Sequence, residues 1–345
     1  MAASSIEEQL KTKPPLDIKI IDNSCGSGNL LTSCLNYLTE KVWYSLDKFE
    51  DLKKSLDMEY KNVIDEAKKY NIQDSVSRKI VLKRMILRKC IYGVDFDQIS
   101  AQIAMLSLWI STFIFVSPPS FLASQIKVGN ALLGYTTTDE FLNILNSELR
   151  DSCLLFVKKI NEIVTILKDI YQKIKGINDA TKEDVEKSKK IYKGYEENED
   201  IYNLRIIFSL IKLYSLSFDK SLNIEFNDII TVISLIENIL NSKISSEDKE
   251  KIEKIKKLSS YYKFFHYGIE FPDIQEGFDI VIGNPPWENP RFDESEFFSK
   301  HIPDYRKLSI KEQNKIKQEM LSKDNHPLSI QYYEEKNSLK ILNNM

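Results

Sequence analysis

The sequence predicts an α/β fold with a parallel sheet between layers of helices, and three observations lead to it. Short apolar runs of strand length alternate with long stretches of helical periodicity, the pattern of strand–helix–strand units. The apolar runs end directly in acidic, glycine or asparagine residues, where an extended chain stops and turns. Several helical stretches open on Ser or Thr followed three residues later by Asp or Glu, the mark of a capped helix start.

The first strand signal is Ile18–Ile21, which runs into Asp22-Asn23-Ser24-Cys25-Gly26-Ser27-Gly28-Asn29. A helical pattern follows from Leu30 to about Leu38, and charged, helix-periodic text from Val42 to Arg88 shows no strong turn until Asn71. Cys90–Val94 reads as the second strand, ending at Asp95, with an apolar helix from about Gln98. The third is a brief strand-and-turn over Ile126-Lys127-Val128-Gly129-Asn130. From Asp139 to Tyr262 the text is rich in Lys, Glu and Ile, with capping boxes at Thr181/Asp184 and Ser245/Asp248, so it reads as several helices inserted between strands. Its charged runs, such as the one from Lys187 to Asp200, read as solvated helix faces. The fourth strand, Phe278–Ile282 with Gly283, is the clearest, and it leads into Asn284-Pro285-Pro286-Trp287. Beyond it the chain is polar and helical, with a capping box at Ser309/Glu312.

Composition narrows the function. With 345 residues, 42% hydrophobic and 29% charged, the chain is ordinary globular protein. A net charge of −3 provides no global basic field, so any nucleic acid must meet a local patch or a partner. Cys25, Cys34, Cys90 and Cys153 form no CxxC pair and the histidines lie far apart, so neither a disulfide framework nor a metal site is expected. The polar N-terminus has no signal-peptide apolar region, which makes the reducing cytoplasm the expected compartment. Gln98–Ile126 contains no charge and has the length of a membrane span. Its glutamines, serines and Pro118-Pro119 favour a buried helix followed by a loop.

Three motifs carry chemistry. After the first strand, Asp22 precedes Gly26-Ser27-Gly28. Glycines let backbone approach a ligand, and the helix N-terminus behind them offers N–H donors to an anion, although a plain tight turn also explains such a loop. Asp95 ends the second strand, where a carboxylate accepts from two ribose hydroxyls; a solvated or helix-capping Asp is the alternative. Asn284-Pro285-Pro286-Trp287 combines an amide, a stiff segment lacking two backbone donors, and a large aromatic. That set suits a planar nitrogenous substrate, with acceptors for an amino group and a ring to stack on it; a Pro-Pro turn with a core Trp is the alternative.

The stretches IIDNSCGSGNLL, YGVDFDQISAQIAMLSLWI, IKVGNALLG and FDIVIGNPPW, in this order, resemble the motifs of adenine-specific (N6) DNA methyltransferases. The resemblance is to the large fused restriction–modification and phage-defence type, and Phe265–Pro272 also looks like text of that group. Asn23 stands where Pro is usual, and Trp287 where many members have Tyr. The resemblance implies a Rossmann-like parallel sheet with large helical insertions and S-adenosylmethionine (AdoMet) as methyl donor. It implies that Asp22, Cys25, Gly26 and Gly28 surround the methionine part, that Asp95 holds the ribose, and that Phe96 and Asn130 lie at the cofactor adenine. Asn284 and the Pro285 carbonyl would accept from the target amino group, Pro286 would stiffen the loop, and Trp287 would stack on an adenine flipped from double-stranded DNA. The division expected is an AdoMet-binding part over 1–138 with a helical insertion at about 40–88, a helical insertion over 139–262, and a catalytic strand-loop with following helices over 263–345. Members of this type use seven strands where only four are legible here, so the sheet is expected to be incomplete and a second polypeptide, or a missing C-terminal part, to supply the remaining strands and target recognition.

The chemistry agrees with these parts. An adenine amino lone pair is delocalised into its ring, and two acceptors on its hydrogens favour a pyramidal nitrogen aimed at a sulfonium methyl. C5-cytosine chemistry needs a nucleophilic Cys in the Pro-Pro loop, and that loop has none. Other readings are methylation of RNA bases or glutamine side chains, N4-cytosine methylation, or a remnant that binds AdoMet or a partner without turnover. The long interval from Asn130 to Phe278 speaks against the compact RNA and protein enzymes.

Overall fold

The computed structural model describes residues 2–135, 140, 154–218, 226, 228–274, 276–284, 292–321, 328–329, 331–333 and 335–336. Four parallel strands form the sheet: β1 (Ile20–Asp22), β2 (Ile91–Asp95), β3 (Ile126–Val128) and β4 (Ile280–Ile282), in the order β3-β2-β1-β4. Asp22 lies opposite Gly93 of β2 and Ile282 of β4, and Asp95 opposite Val128 of β3. Each expected strand is present, with β1, β2 and β4 starting later than the runs that announced them. The Asp279 and Ile280 amides both donate to the Lys19 carbonyl, and the Asp279 carboxylate accepts the Lys19 amide at 2.9 Å. A side-chain bond there takes the place of a ladder bond.

Helices α1 (Ala2–Thr12), α2 (Asn29–Tyr44), α3 (Glu50–Lys68), α4 (Arg78–Cys90) and α5 (Gln98–Ser111) accompany the first strands. The turn expected at Asn71 has φ 56°. Alternation along the strands divides the core between the two faces of the sheet. Ile20, Ile91, Ile126 and Ile280 pack with Leu31, Leu35, Leu82, Ile86 and Leu108, whereas Ile21, Tyr92 and Val94 pack with Phe265, Phe271 and Ile274. The N-terminal helix α1 has no counterpart in the sequence reading, because Ile6 is its one fully buried side chain.

The uncharged helix α5 departs from the expectation of a buried helix. Ala101, Ala104 and Leu108 face the core, but Ile99, Ile103, Leu106 and Ile110 form an exposed stripe. The buried face is the small-residue one, where a Cβ on Gly28 would lie 3.1 Å from the Ala104 Cα. No helix among the described residues is long and apolar enough to cross a membrane.

The insertion contains α6 (Leu154–Gly176), α7 (Lys182–Glu196), α8 (Glu199–Ser217), α9 (Ile229–Leu240) and α10 (Ser246–Tyr262). Thr181/Asp184 and Ser245/Asp248 form the expected capping boxes. Polar braces hold this layer. Arg84 and Arg88, one turn apart on α4, both meet buried Asp179 at 2.9 and 3.2 Å, and Arg88 also grips Glu59 at 2.6 Å. Buried Lys127 of β3 and Arg205 of α8 share Glu270 of the short helix α11 (Tyr267–Glu270), at 3.2 and 3.0 Å.

The chain divides into two compact units, one of residues 1–215 and 226–284, the other of 216–225 and 285–345. In the second, α12 (Glu294–His301) and α13 (Ile310–Leu321) accompany an aromatic cluster of Phe297, Phe298, Tyr305 and Tyr332. The Ser309/Glu312 pair caps α13 reciprocally.

Candidate active site

Parallel strands bring the loops that follow them to one edge of the sheet. The chain builds β1, β2 and β3 in one direction, then returns to place β4 on the other side of β1. Such a reversal opens a crevice at the C-terminal ends of the strands. Asp22, Asp95, Asn130 and Asn284 all lie at or just beyond those ends.

Asp22 is 1% exposed, and its carboxylate accepts the Ser24 amide at 3.0 Å. Burial raises its pKa and the charge of Asp95 adds to this, against the opposing Ser24 bond. The Cys25 amide donates to the Val94 carbonyl at 3.0 Å, docking the loop on β2. Its thiol is pushed up to about 12, by burial and then by Asp95 and Asp22, so it is a packing group and not a nucleophile. Its sulfur occupies room that exists because position 93 is glycine: a Cβ there would lie 3.1 Å from Sγ.

Gly26 has φ 51° and donates its amide to Asp95 Oδ2 at 2.8 Å. Gly28 has φ 80°, and a Cβ on it would lie 3.1 Å from the Ala104 Cα. These conformations favour glycine, and they deliver the chain into the N-terminus of α2. Asp95 Oδ1 accepts the Asp97 amide at 2.8 Å. A carboxylate offers about four lone-pair sites, so, counting the described residues, two remain for a ligand.

Phe96 presents a half-exposed ring. Asn130 is buried, and its side-chain oxygen accepts the Leu132 amide at 3.1 Å. Asn284 is exposed at the end of the β4 segment. Pro285, Pro286 and Trp287 lie outside the described residues. Two side chains that the sequence did not single out reach this edge: Lys263 at Phe96, and Tyr267 at Asn23. Tyr267 falls within the motif-like text Phe265–Pro272, whereas Lys263 carried no signal in the sequence.

A parallel sheet with this strand order, and with acidic residues ending its two central-most early strands beside a glycine loop, defines a Rossmann-like fold of the methyltransferase class. The chain belongs to the Eco57I restriction-modification methylase family, whose model matches residues 89–343. That match takes in Asp95, Asn130 and Asn284, while the loop after β1 precedes it. The chain is also 23% identical, over 290 residues, to a Methanocaldococcus jannaschii protein named "putative type II restriction enzyme and methyltransferase". The alignment covers 79% of this chain and 22% of that protein, so the chain spans about a fifth of the length of this curated relative. No solved structure matches the chain.

Proposed function

We propose that this chain binds AdoMet at the ends of β1–β3 and directs methyl transfer to N6 of adenine in DNA, as part of a cytoplasmic restriction–modification or phage-defence system. The observation that carries the reading is the placement of Asp22 and Asp95 on one side of the crevice and Asn284 on the other, across the β1–β4 reversal. The donor set fits the cofactor. AdoMet brings a sulfonium and an ammonium, and a buried carboxylate facing a second acid is relieved by such cations. Two unused lone-pair sites on Asp95 match two ribose hydroxyls, and the N-terminus of α2 suits a carboxylate.

Bound there, AdoMet supplies an electrophilic methyl group. The protein's contribution is positioning. Asn284 accepts from the target amino group, with the Pro285 carbonyl as second acceptor, and Trp287 stacks on the flipped base. No covalent bond to the protein is needed, in keeping with the inert Cys25 thiol.

A second polypeptide, or further chain such as the longer relative has, completes the protein in this reading. Among the described residues β4 pairs with β1 alone, and Val281 is 63% exposed. An apolar edge of this kind invites another strand. The test supplies methyl-labelled AdoMet and unmodified genomic DNA to the chain alone and with co-expressed partner polypeptide, then analyses the nucleosides by mass spectrometry. The expected product is N6-methyladenine, weak or absent with the chain alone and restored by the partner. Label only in N4-methylcytosine, RNA or protein would remove the substrate assignment. Robust adenine methylation by a monodisperse monomer would remove the need for a partner.

A further inference from the structure

The candidate cofactor site is bound together from outside by one short segment, Lys263–Tyr267, to which no role attaches so far. Helix α10 ends on Lys263, whose αL conformation (φ 51°, ψ 48°) turns the chain sharply. From there the backbone runs along the loop that follows β3. The Lys263 carbonyl accepts the Asn130 amide at 2.7 Å, Asn130 and Phe264 form a parallel bridge, and the Phe265 amide donates to Leu133 at 2.7 Å. Two glycines admit this path: a Cβ on Gly129 would come within 2.5 Å of the Phe265 ring, and one on Gly134 within 1.8 Å of the Phe265 carbonyl oxygen.

Two side chains of the segment reach back into the site. The Lys263 ammonium sits 4.0 Å from the centroid of the Phe96 ring and donates to the Phe96 carbonyl at 2.8 Å. The Tyr267 hydroxyl lies 3.1 Å from Asn23 Oδ1 and 3.3 Å from the Ala131 carbonyl, joining the loop after β1 to the loop after β3. The short helix α11 that continues the segment is fixed to α6 and α7, where Tyr195 donates to the Ile269 carbonyl at 2.9 Å and Tyr171 to the Glu270 carbonyl at 2.8 Å.

Packing accounts for Phe265 and Phe271, which lie in the core. It does not account for Lys263, whose ammonium is spent on an exposed ring. A half-exposed Phe samples several rotamers unless something holds it, and a ligand that stacks on it must bear that ordering cost. An ammonium over one face holds the ring and leaves the other face open.

We propose that Lys263 and Tyr267 are positioning residues of the cofactor site. Lys263 presets the Phe96 ring for the cofactor adenine, and Tyr267 sets the spacing between the loops after β1 and β3. The inference rests on the AdoMet reading above, and calorimetric titration of the full chain with AdoMet tests the two separately. Lys263→Met should weaken binding about three- to tenfold, Lys263→Arg should largely restore it, and Tyr267→Phe should weaken it by a similar factor. Thermal midpoints of all three should stay near that of the parent protein. In a Phe96→Ala background, Lys263→Met should have no further effect on affinity, which distinguishes positioning of the ring from general loss of structure. Parent protein that binds AdoMet, with Lys263→Met binding equally well or remaining additive with Phe96→Ala, overturns the inference and leaves the cofactor reading standing. No binding by the parent protein overturns both.

Discussion

The amide of Gly26 and the carboxylate of Asp95 are joined by a 2.8 Å hydrogen bond that ties the loop after β1 to the end of β2. Gly26 reaches this position with φ 51°, and the adjoining Cys25 amide makes a second tie to the Val94 carbonyl. The acid proposed to hold the ribose therefore also shapes the loop proposed to hold the methionine part. On that proposal, Asp95 would act on both halves of the ligand at once.

Asp22 should lower the stability of the free protein while serving the ligand. Its folded pKa lies above the ordinary carboxylate value, because burial and then Asp95 disfavour its charge. A carboxyl with a raised folded pKa costs stability as pH rises from the unfolded value through the folded one, and the cost is complete only above the folded value. Asp22→Asn keeps an acceptor for the Ser24 amide and removes the charge. Its melting temperature at pH 7 should rise, while AdoMet affinity falls by about tenfold. Scanning calorimetry and titration read the two effects, and a lower melting temperature at pH 7 would refute the strained-charge account.

His266 should make the fold acid-sensitive. It is buried between Tyr135, which stacks on it at 5.7 Å, and Phe208, with Nε2 3.3 Å from the Ser209 hydroxyl. Burial lowers its pKa from 6.5 to about 3. The unfolded chain therefore takes up a proton on this residue between those values, and stability falls as pH drops through that window. At pH 5 the loss from this residue approaches about 2 kcal/mol relative to pH 7. Urea unfolding at both pH values, compared with His266→Phe, isolates the contribution; an unchanged pH dependence in the variant would assign it elsewhere.

The buried charges around Asp179 should be a larger determinant of stability than any surface pair. Arg84 and Arg88 both depend on this carboxylate, which their charges hold below its usual range despite its burial. Asp179→Ala leaves two guanidinium groups short of a partner in the interior, at a cost of about 3–5 kcal/mol. Lys189→Ala, which removes an exposed helix pair with Glu186, should change stability by less than about 0.5 kcal/mol. Comparable losses in chemical denaturation of the two variants would contradict this ranking.

Much of the fold was legible because its signals are local. Ile20-Ile21-Asp22 and Val94-Asp95 announce strands that stop, and Thr181/Asp184 and Ser245/Asp248 announce helices that start. Relations between distant segments left no such trace. That β4 lies beside β1 depends on Ile280 pairing with Ile20, and no periodicity encodes that choice. The Lys127–Glu270–Arg205 brace unites residues whose individual charges look like solvent-facing ones in the sequence. Lys263 was unreadable for the same reason, since its partner Phe96 is remote in sequence. The α5 stripe misled in the other direction: an uncharged helix reads as buried, yet Ile99 and Ile110 are exposed.

Titration of the chain with AdoMet, beside Asp95→Ala and Asp95→Asn, tests the central claim most directly because it needs neither DNA nor a partner. Saturable binding at one site per chain is the predicted result. Both variants should bind more weakly, with Asp95→Ala losing about 1.5–3 kcal/mol, a factor of about ten to a hundred. Absence of binding by the parent chain, or equal affinity in Asp95→Ala, would place the cofactor site elsewhere and contradict the account.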